Sequence, residues 1–329
     1  MSTRTLRLQD IEYKAPLARL VNQCAGQCFF FLQTRYNENM KAYLDIVKNV
    51  LENGEKKTDR TGTGTLTIPG TIFKHDMKEG FPLLTTKKIP FRLVASELEF
   101  FIKGITDKKW LQDRNNHIWD EWCTPLKVPY AHDEETKKRM LEERDLGAIY
   151  GWEWRHFGAE YKDYKTDYTG QGVDQLKRMV EMLKTKPDSR QILVLAWNPL
   201  DVDKAIPPYC HYAFQVTVIN NRLNLFWNQR SVDVALGLPF NIASYATLLH
   251  LLALETGLEE GILTGFLADT HIYLNHIDGL KEQLSRDPNK YKLPQIKTNN
   301  FKSVFDWQYT DTEIINYQSY DRISFPIAI

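Results

Sequence analysis

Cys210 is the residue of this sequence best suited to act as a nucleophile. It follows two prolines and a tyrosine and directly precedes a predicted strand, so a stiff backbone would hold its thiol in one direction. Arg230 and Ser231 follow a short distance along the chain, and an arginine near a thiol raises the thiolate fraction. The alternative is a buried structural cysteine, since free cysteine is among the most buried residue types.

Three separated arginines predict an anion site if they converge. Arg60 lies in a loop of alternating glycine and threonine, Arg190 follows a serine, and Arg230 precedes one. The 42 Lys and Arg residues balance 42 Asp and Glu residues, which gives a formal net charge of zero and a pI near 7.1. Binding to nucleic acid or to an anionic membrane depends on a summed positive field, so we expect neither partner and look instead to a small phosphate-bearing ligand.

The four cysteines predict neither a disulfide framework nor a metal site. Cys24 and Cys28 are spaced as a pair of ligands, but no second Cys or His pair follows at zinc spacing. No apolar run approaches the roughly 18 residues needed to cross a bilayer. We therefore expect a cytoplasmic protein without a bound metal.

The elements that must position these residues follow from hydrophobic periodicity and turn signals. Residues 1–39 lack a clear period and predict a weakly ordered extension, followed by one mixed α/β domain over residues 40–329. Helical spacing begins at Met40 and stops at Asn53-Gly54, and β-rich pieces broken by glycine and proline predict a hairpin over residues 62–75. Further helices are predicted at 94–102, 173–183 and 244–254, and the charged run 133–145 predicts a solvated helix or an insertion. Strands are predicted at 191–196, 213–219 and 222–227, the last two joined by a tight turn at Asn220-Asn221.

From about Met40 to Ile329 the chain resembles the thymidylate synthase family, which includes the pyrimidine nucleotide hydroxymethylases. Six blocks in the family's order carry the resemblance: Asp59 to Thr65, Pro82 to Lys88, Ile118 to Trp122, Gln229 to Ser231, Leu236 to Tyr245 and Asp269 to His276. The resemblance implies a mixed β-sheet with flanking helices and a homodimer formed through that sheet. It also implies the substrates dUMP and 5,10-methylenetetrahydrofolate.

The resemblance implies a role for each residue that contacts the nucleotide. Cys210 would attack C6 of the pyrimidine, which makes C5 nucleophilic. Arg60, Arg230 and Ser231 would hold the phosphate, and Arg190 would reach it from the partner subunit.

The resemblance also implies which residues bind the base and the sugar and which residues transfer protons. Asn241 would read uracil by donating to O4 and accepting from N3–H, although an Asn before Ile242 could instead cap a helix. His271 and Tyr273 would bind the deoxyribose hydroxyl. Glu97 would organise water near O4 and relay protons, and Tyr150 would assist proton removal from C5.

The folate site and its closing lid are implied in the same way. They would be formed by Lys87, Trp119, Trp122, Asp233 and the C-terminal run from Phe325 to Ile329.

The chain departs from the family pattern at five positions. These are Gln191, Pro207, Tyr209, Asn228 and Glu99, where the family usually has arginine, leucine, proline, tyrosine and an apolar residue. Glu99 and Asn228 would add polar groups able to hold a water beside the exocyclic methylene, as in phage hydroxymethylases.

We therefore expect hydroxymethylation of dUMP, giving 5-hydroxymethyl-dUMP for DNA modification. Trp119 and the intact C-terminal run favour the alternative, a thymidylate synthase that makes dTMP and dihydrofolate. A second alternative is an inactive relative that binds a nucleotide or RNA, which the presence of Cys210, Glu97 and Asn241 disfavours.

Overall fold

The computed structural model describes residues 40–59, 61–131, 133–205 and 209–327. The extension predicted over residues 1–39 lies outside them. The helices of the described residues are α1 Lys41–Asn53, α2 Phe91–Ile102, α3 Lys109–Gln112, α4 Glu134–Glu142, α5 Tyr150–His156, α6 Gln175–Thr185, α7 Gly237–Thr256 and α8 Ile277–Ser285.

The helices begin and end where local chemistry satisfies their backbone groups. Asp133 accepts a hydrogen bond from the N–H of Thr136 at the start of α4, and Asp174 caps α6 through Lys177 in the same way. Gly257 ends α7 with a φ of 68°, a left-handed conformation that favours glycine. The predicted helices are confirmed to within a few residues of their expected ends, except that α7 begins at Gly237, well before its expected start at residue 244.

Within the described part of the chain, eight strands form two sheets: β1 Glu55–Lys57, β2 Thr65–Asp76, β3 Leu193–Leu195, β4 His211–Ile219, β5 Arg222–Asp233, β6 Glu259–Tyr273, β7 Gln295–Thr298 and β8 Thr312–Ile315. The main sheet has the order β1-β2-β6-β5-β4-β3, and β7 pairs with β8 in the second sheet. All pairs are antiparallel except β5 with β6. The mixed α/β fold predicted from the sequence is confirmed.

The hairpin predicted over residues 62–75 is wrong. Residues 65–76 form one long strand that pairs with β6 on both sides of Pro69 and Gly70. Gly70 adopts a φ of 85°, which lets the strand bend without ending. Asn220 and Asn221, by contrast, form the expected tight turn between β4 and β5, with φ values of 52° and 60°.

Helix α7 is the crossover between the parallel strands β5 and β6. It is long and apolar enough to cross a membrane by composition, but 78% of its apolar window is buried inside the protein. It packs on β5 and β6, while α1 packs on β2 and β6. It is therefore the central core helix of this sheet, which is the role a parallel connection requires.

The two faces of the main sheet differ in what covers them. Phe73, Phe214 and Trp227 point to the helices and are at most 1% exposed. On the opposite face the apolar side chains are open to solvent: Ile72 is 59% exposed and Phe266 42%. Because side chains alternate along a strand, this exposed face runs across neighbouring strands of the sheet.

Candidate active site

A cavity of about 850 Å³ opens where β5 and β6 end beside the first turn of α7. That volume lies in the upper part of the roughly 300–1,000 Å³ usual for small-molecule sites. Fourteen residues predicted from the sequence line it: Lys87, Glu97, Trp119, Trp122, Tyr150, Cys210, Arg230, Ser231, Asp233, Asn241, His271, Tyr273, Phe325 and Ile327. Arg60 and Ile329 lie outside the described residues.

The thiol of Cys210 faces this cavity from a backbone that is fixed on both sides. The N–H of Cys210 donates to Tyr150 Oη at 2.8 Å, and its carbonyl accepts from the N–H of Arg230 at 2.8 Å. The side chain is half-buried at the cavity wall. Cys123 is buried in a separate apolar cluster, and burial raises the pKa of its thiol to about 11. Cys210 is therefore the cysteine of the described chain that is placed for reaction.

Arg230 brings a positive charge to the same wall. Its Nε donates to the carbonyl of Tyr209 at 3.0 Å, and its guanidinium carbon lies 5.7 Å from the ring centre of Trp197. Ser231 follows it at the end of β5, opposite Asp269 of β6. A guanidinium and a hydroxyl at one strand end form a suitable site for a phosphate group.

Glu97 projects into the cavity from α2. Its Oε1 accepts a hydrogen bond from Trp119 Nε1 at 2.7 Å. Burial raises the pKa of Glu97 to about 7, and the bond from Trp119, which favours the carboxylate, opposes part of that rise. A carboxyl that titrates near neutral pH can both accept and donate protons during a reaction.

Tyr150 connects the carboxyl side of the cavity to the nucleophile. Its ring stacks on His211 with centroids 4.2 Å apart and lies edge-on to Trp119. Burial raises the pKa of Tyr150 well above its ordinary value, so its hydroxyl keeps its proton. Burial lowers the pKa of His211 to about 3, so this imidazole is neutral and bonds Tyr245 Oη through Nδ1.

Asn241 is oriented by a neighbour that sequence reasoning missed. Gln229 Nε2 donates to Asn241 Oδ1 at 3.1 Å, and Gln229 Oε1 accepts from Trp227 Nε1 at 3.1 Å. This chain of bonds fixes which end of each amide is oxygen. Asn241 lies inside α7, four residues after its first residue Gly237, so the alternative that it caps the helix is wrong.

His271 and Tyr273 share one face of β6, as their spacing predicts. Their rings meet edge to face at 5.3 Å, and His271 Nδ1 lies 3.0 Å from Asp269 Oδ1. Asp59 shapes the adjoining loop by accepting from the N–H groups of Thr61 and Gly64. These polar groups line the same end of the cavity as Ser231.

Another part of the cavity lining is largely apolar and aromatic. Trp122 stacks on Tyr130 at 5.8 Å, and Trp119 adds a second flat surface. Lys87 donates to the carbonyl of Ala235, and its Nζ lies 4.5 Å from the ring centre of Phe325. Burial lowers the pKa of Lys87 to about 8, although Asp233 opposes this change.

Comparison with known proteins identifies the family. A family model described as "Thymidylate synthase" matches residues 41–329. The chain belongs to the thymidylate synthase family. It is 44% identical over 299 residues to the bifunctional dihydrofolate reductase-thymidylate synthase of Paramecium tetraurelia. The match covers 91% of this chain and 63% of that protein, so the chain spans less than two thirds of the relative's length.

Two residues that suggested the hydroxymethylase branch of the thymidylate synthase family lie away from the cavity. Glu99 is 2% exposed, and its carboxylate pairs with Lys103 and accepts from the N–H of Tyr309 at 2.8 Å. Two residues along a helix correspond to a turn of about 200°, so Glu99 points away from the side that Glu97 presents. The prediction that Glu99 lies beside the reacting methylene is therefore wrong.

Asn228 also lies away from the cavity. It is not among the residues that line the cavity, and it pairs in register with Phe266 of β6, which is exposed on the other face of the sheet. Arg190 is exposed just before β3 and does not line the cavity of its own chain either. Among the described residues, no group of three His, Cys, Asp or Glu side chains is arranged to hold a metal.

Proposed function

We propose that this protein is a thymidylate synthase that methylates dUMP at C5, with 5,10-methylenetetrahydrofolate as co-substrate. The observation that carries this proposal is the convergence of the Cys210 thiol, the Glu97 carboxyl and the Asn241 amide on one cavity. Family membership and the resemblance to a bifunctional enzyme with synthase activity in its name support it.

The polar end of the cavity would bind the nucleotide. Arg230 and Ser231 would contact the phosphate together with Arg60, and His271 and Tyr273 would bond the sugar hydroxyl. The bond from Gln229 uses one lone pair of Asn241 Oδ1. The second lone pair and the amide N–H groups remain to accept from N3–H and to donate to O4 of uracil.

The reaction would start at Cys210. Its thiolate adds to C6 of the pyrimidine, and electron density moves to C5. Glu97 carries protons to and from the water near O4, and Tyr150 contributes as a neutral hydroxyl because its proton is firmly held. When the product forms, the bond between Cys210 and C6 breaks and the thiolate is regenerated.

The apolar wall fits the co-substrate. Trp119, Trp122 and Phe325 present aromatic surface to the cavity, and Lys87 places a cation beside them. A flat pterin and an anionic glutamate tail would find matching surfaces here. When bound, methylenetetrahydrofolate supplies the one-carbon unit and the hydride.

The methyl product is favoured over the hydroxymethyl product. The argument for hydroxymethylation depended on Glu99 and Asn228 holding a water at the methylene, and neither side chain lines the cavity. Trp119 and Phe325 do line it. An apolar surround excludes water and so favours hydride transfer.

A homodimer through the exposed sheet face would complete the site. Leu193 and Leu195 are 41% and 37% exposed and extend the apolar face formed by Ile72 and Phe266. Exposed apolar surface on several adjacent strands is typical of a protein interface. Arg190 lies immediately before this face, where it would reach the phosphate of the partner's nucleotide.

The test is mass spectrometry of the nucleotide made from dUMP and methylenetetrahydrofolate, with absorbance of dihydrofolate followed in the same reaction. We expect dTMP with one dihydrofolate for each turnover, and no product from Cys210→Ser. A 5-hydroxymethyl product without dihydrofolate would refute the methyl assignment. Nucleotide binding without any product would instead favour the inactive relative.

A further inference from the structure

Tyr209, the residue before the nucleophile, connects three parts of the site wall. It is fully buried. Its carbonyl accepts from Arg230 Nε at 3.0 Å, and its ring lies edge-on to Tyr150 with centroids 5.6 Å apart. Tyr150 in turn accepts from the N–H of Cys210. Any shift of Tyr209 would therefore move the thiol, the guanidinium and the Tyr150 hydroxyl together.

The phenol of Tyr209 is anchored behind the cavity by two groups of the segment 148–153. Its hydroxyl donates to the carbonyl of Ala148, and Tyr209 Oη lies 3.2 Å from Glu153 Oε1. Glu153 is fully buried, and its Oε2 has no hydrogen-bond partner among the described residues. Neither group lines the cavity, so this pair can act only through the residues it holds.

We propose that Tyr209, anchored by Glu153 and by the Ala148 carbonyl, is a positioning residue that fixes Cys210 and Arg230 for reaction. The inference rests on the proposed function, since it concerns the same nucleophile.

The number of protons available to these two hydrogen bonds determines whether the Glu153 carboxyl is protonated. A phenol has one proton, and the carbonyl of Ala148 can only accept, so the Tyr209 proton goes to Ala148. At Glu153 the phenol oxygen must then accept, and the proton in that bond has to come from the carboxyl group. Tyr209 is held at both points only while Glu153 is protonated.

The surroundings of Glu153 favour the same protonated state. Burial and the negative charge of Asp201 together raise the pKa of Glu153 to about 8, although hydrogen bonding to Tyr209 and Asn198 lowers it. Lys204 opposes this rise but is itself paired with Asp201. Three ionisable groups of the described chain face Glu153: Asp201 and Lys204 from the segment 198–204, and Tyr209 from just before β4. Gln175 of α6 donates only to the backbone carbonyl of Glu153.

Loss of the proton from Glu153 would leave a buried carboxylate that competes with Ala148 for the Tyr209 hydroxyl. The phenol would then be held at one point instead of two. We expect kcat/KM to fall as pH rises through about 8, because the anchored form is lost there. A glutamine at this position can donate to the phenol oxygen at every pH.

The test compares Glu153→Gln and Tyr209→Phe with the wild type. In Glu153→Gln, the fall of kcat/KM above pH 8 should disappear while activity at pH 7 is kept. In Tyr209→Phe, kcat/KM should drop about tenfold at pH 7, the effect of losing one buried hydrogen-bonded anchor, with a higher KM for dUMP. Tyr161→Phe is the matched control, because Tyr161 is a buried tyrosine bonded to the carboxyl of Asp145 outside the cavity.

A second measurement does not need turnover. The rate of alkylation of Cys210 by iodoacetamide, followed on its own peptide by mass spectrometry, should fall about threefold or more in Tyr209→Phe and stay near the wild-type rate in Tyr161→Phe. An unchanged alkylation rate in Tyr209→Phe would overturn the proposal, as would an alkaline fall that persists in Glu153→Gln. If the wild type makes no product, the proposed function fails, but the alkylation rates still decide the role of Tyr209.

Discussion

Replacing Trp119 by phenylalanine should shift the acid side of the pH profile. The carboxylate form of Glu97 is the form that accepts protons, so activity is lost as pH falls through its pKa, which is about 7. The hydrogen bond from Trp119 Nε1 at 2.7 Å stabilises this carboxylate and lowers its pKa. Phenylalanine keeps an aromatic surface in the cavity wall but removes the donor.

The size of the shift follows from the energy of that bond. A hydrogen bond to a charged group contributes about 1.5–3 kcal/mol, and about 1.4 kcal/mol corresponds to one pH unit. The low end of this range predicts that the pKa of Glu97 rises by about one unit. At pH 7 the carboxylate fraction would fall from about one half to about one tenth, which predicts roughly fivefold lower kcat/KM from ionisation alone.

The assay is kcat/KM for methylenetetrahydrofolate at saturating dUMP, measured from pH 5.5 to 9. Trp122→Phe is the control, because Trp122 belongs to the same wall but stacks on Tyr130 instead of bonding Glu97. Both variants can bind folate more weakly, which lowers the whole curve. Only Trp119→Phe should move its acid limb. Acid limbs that coincide in the wild type and Trp119→Phe would refute the assignment of that limb to Glu97.

Three further predictions concern base choice, assembly and packing. Asn241→Asp should raise the ratio of kcat/KM for dCMP to that for dUMP by at least about tenfold, because cytosine reverses the donor and acceptor pattern, and an unchanged ratio would contradict the role of Asn241. Mixing inactive Arg190→Ala and Cys210→Ser subunits should restore activity at about a quarter of the active sites. Half of the dimers would contain one subunit of each kind, and each of these carries one intact site. No recovery of activity after subunit exchange would contradict a site shared between subunits. Gly265→Ala would place a Cβ 2.3 Å from the ring of Trp227. We expect the free energy of unfolding, measured in urea, to fall by about 1–3 kcal/mol. A stability equal to that of the wild type would show that the strand accommodates the methyl group.

Much of the fold could be predicted because local patterns agree with the tertiary structure. Periodicity located α1, α2, α6 and α7, and the Asn220-Asn221 pair located the β4–β5 turn. The hairpin failed because Pro69 and Gly70 were taken as strand breaks. Whether such a pair ends a strand depends on the neighbouring strand, and here β6 pairs with β2 on both sides of the bend.

The candidate site could also be predicted only in part. The family resemblance assigned Cys210 and Asn241 to one site, and the structure shows that both line one cavity. Glu99 was misplaced for a reason that the sequence contains, because two residues along a helix turn the side chain by about 200° from Glu97. The position of Asn228 needed the tertiary structure, because the three residues that follow it in β5, Gln229, Arg230 and Ser231, all line the cavity.

The anchor behind the nucleophile could not be predicted in this way. Glu153 and Tyr209 are 56 residues apart, and each looks ordinary in its own segment. A glutamate in a short amphipathic helix is usually solvated, and the sequence does not indicate that this one is buried against a tyrosine. Only the tertiary structure brings the two groups together.

The proposed reaction requires Glu97 and Glu153 to be in opposite ionisation states. Glu97 must be ionised to accept protons, whereas Glu153 must be protonated to hold Tyr209, and burial places their pKa values at about 7 and about 8. Activity should therefore peak in a narrow range between these values. Trp119→Phe should narrow this range from the acid side, and Glu153→Gln should widen it on the alkaline side. Because the two carboxyls act on different atoms, a variant carrying both changes should show both effects at once, with its optimum displaced to higher pH.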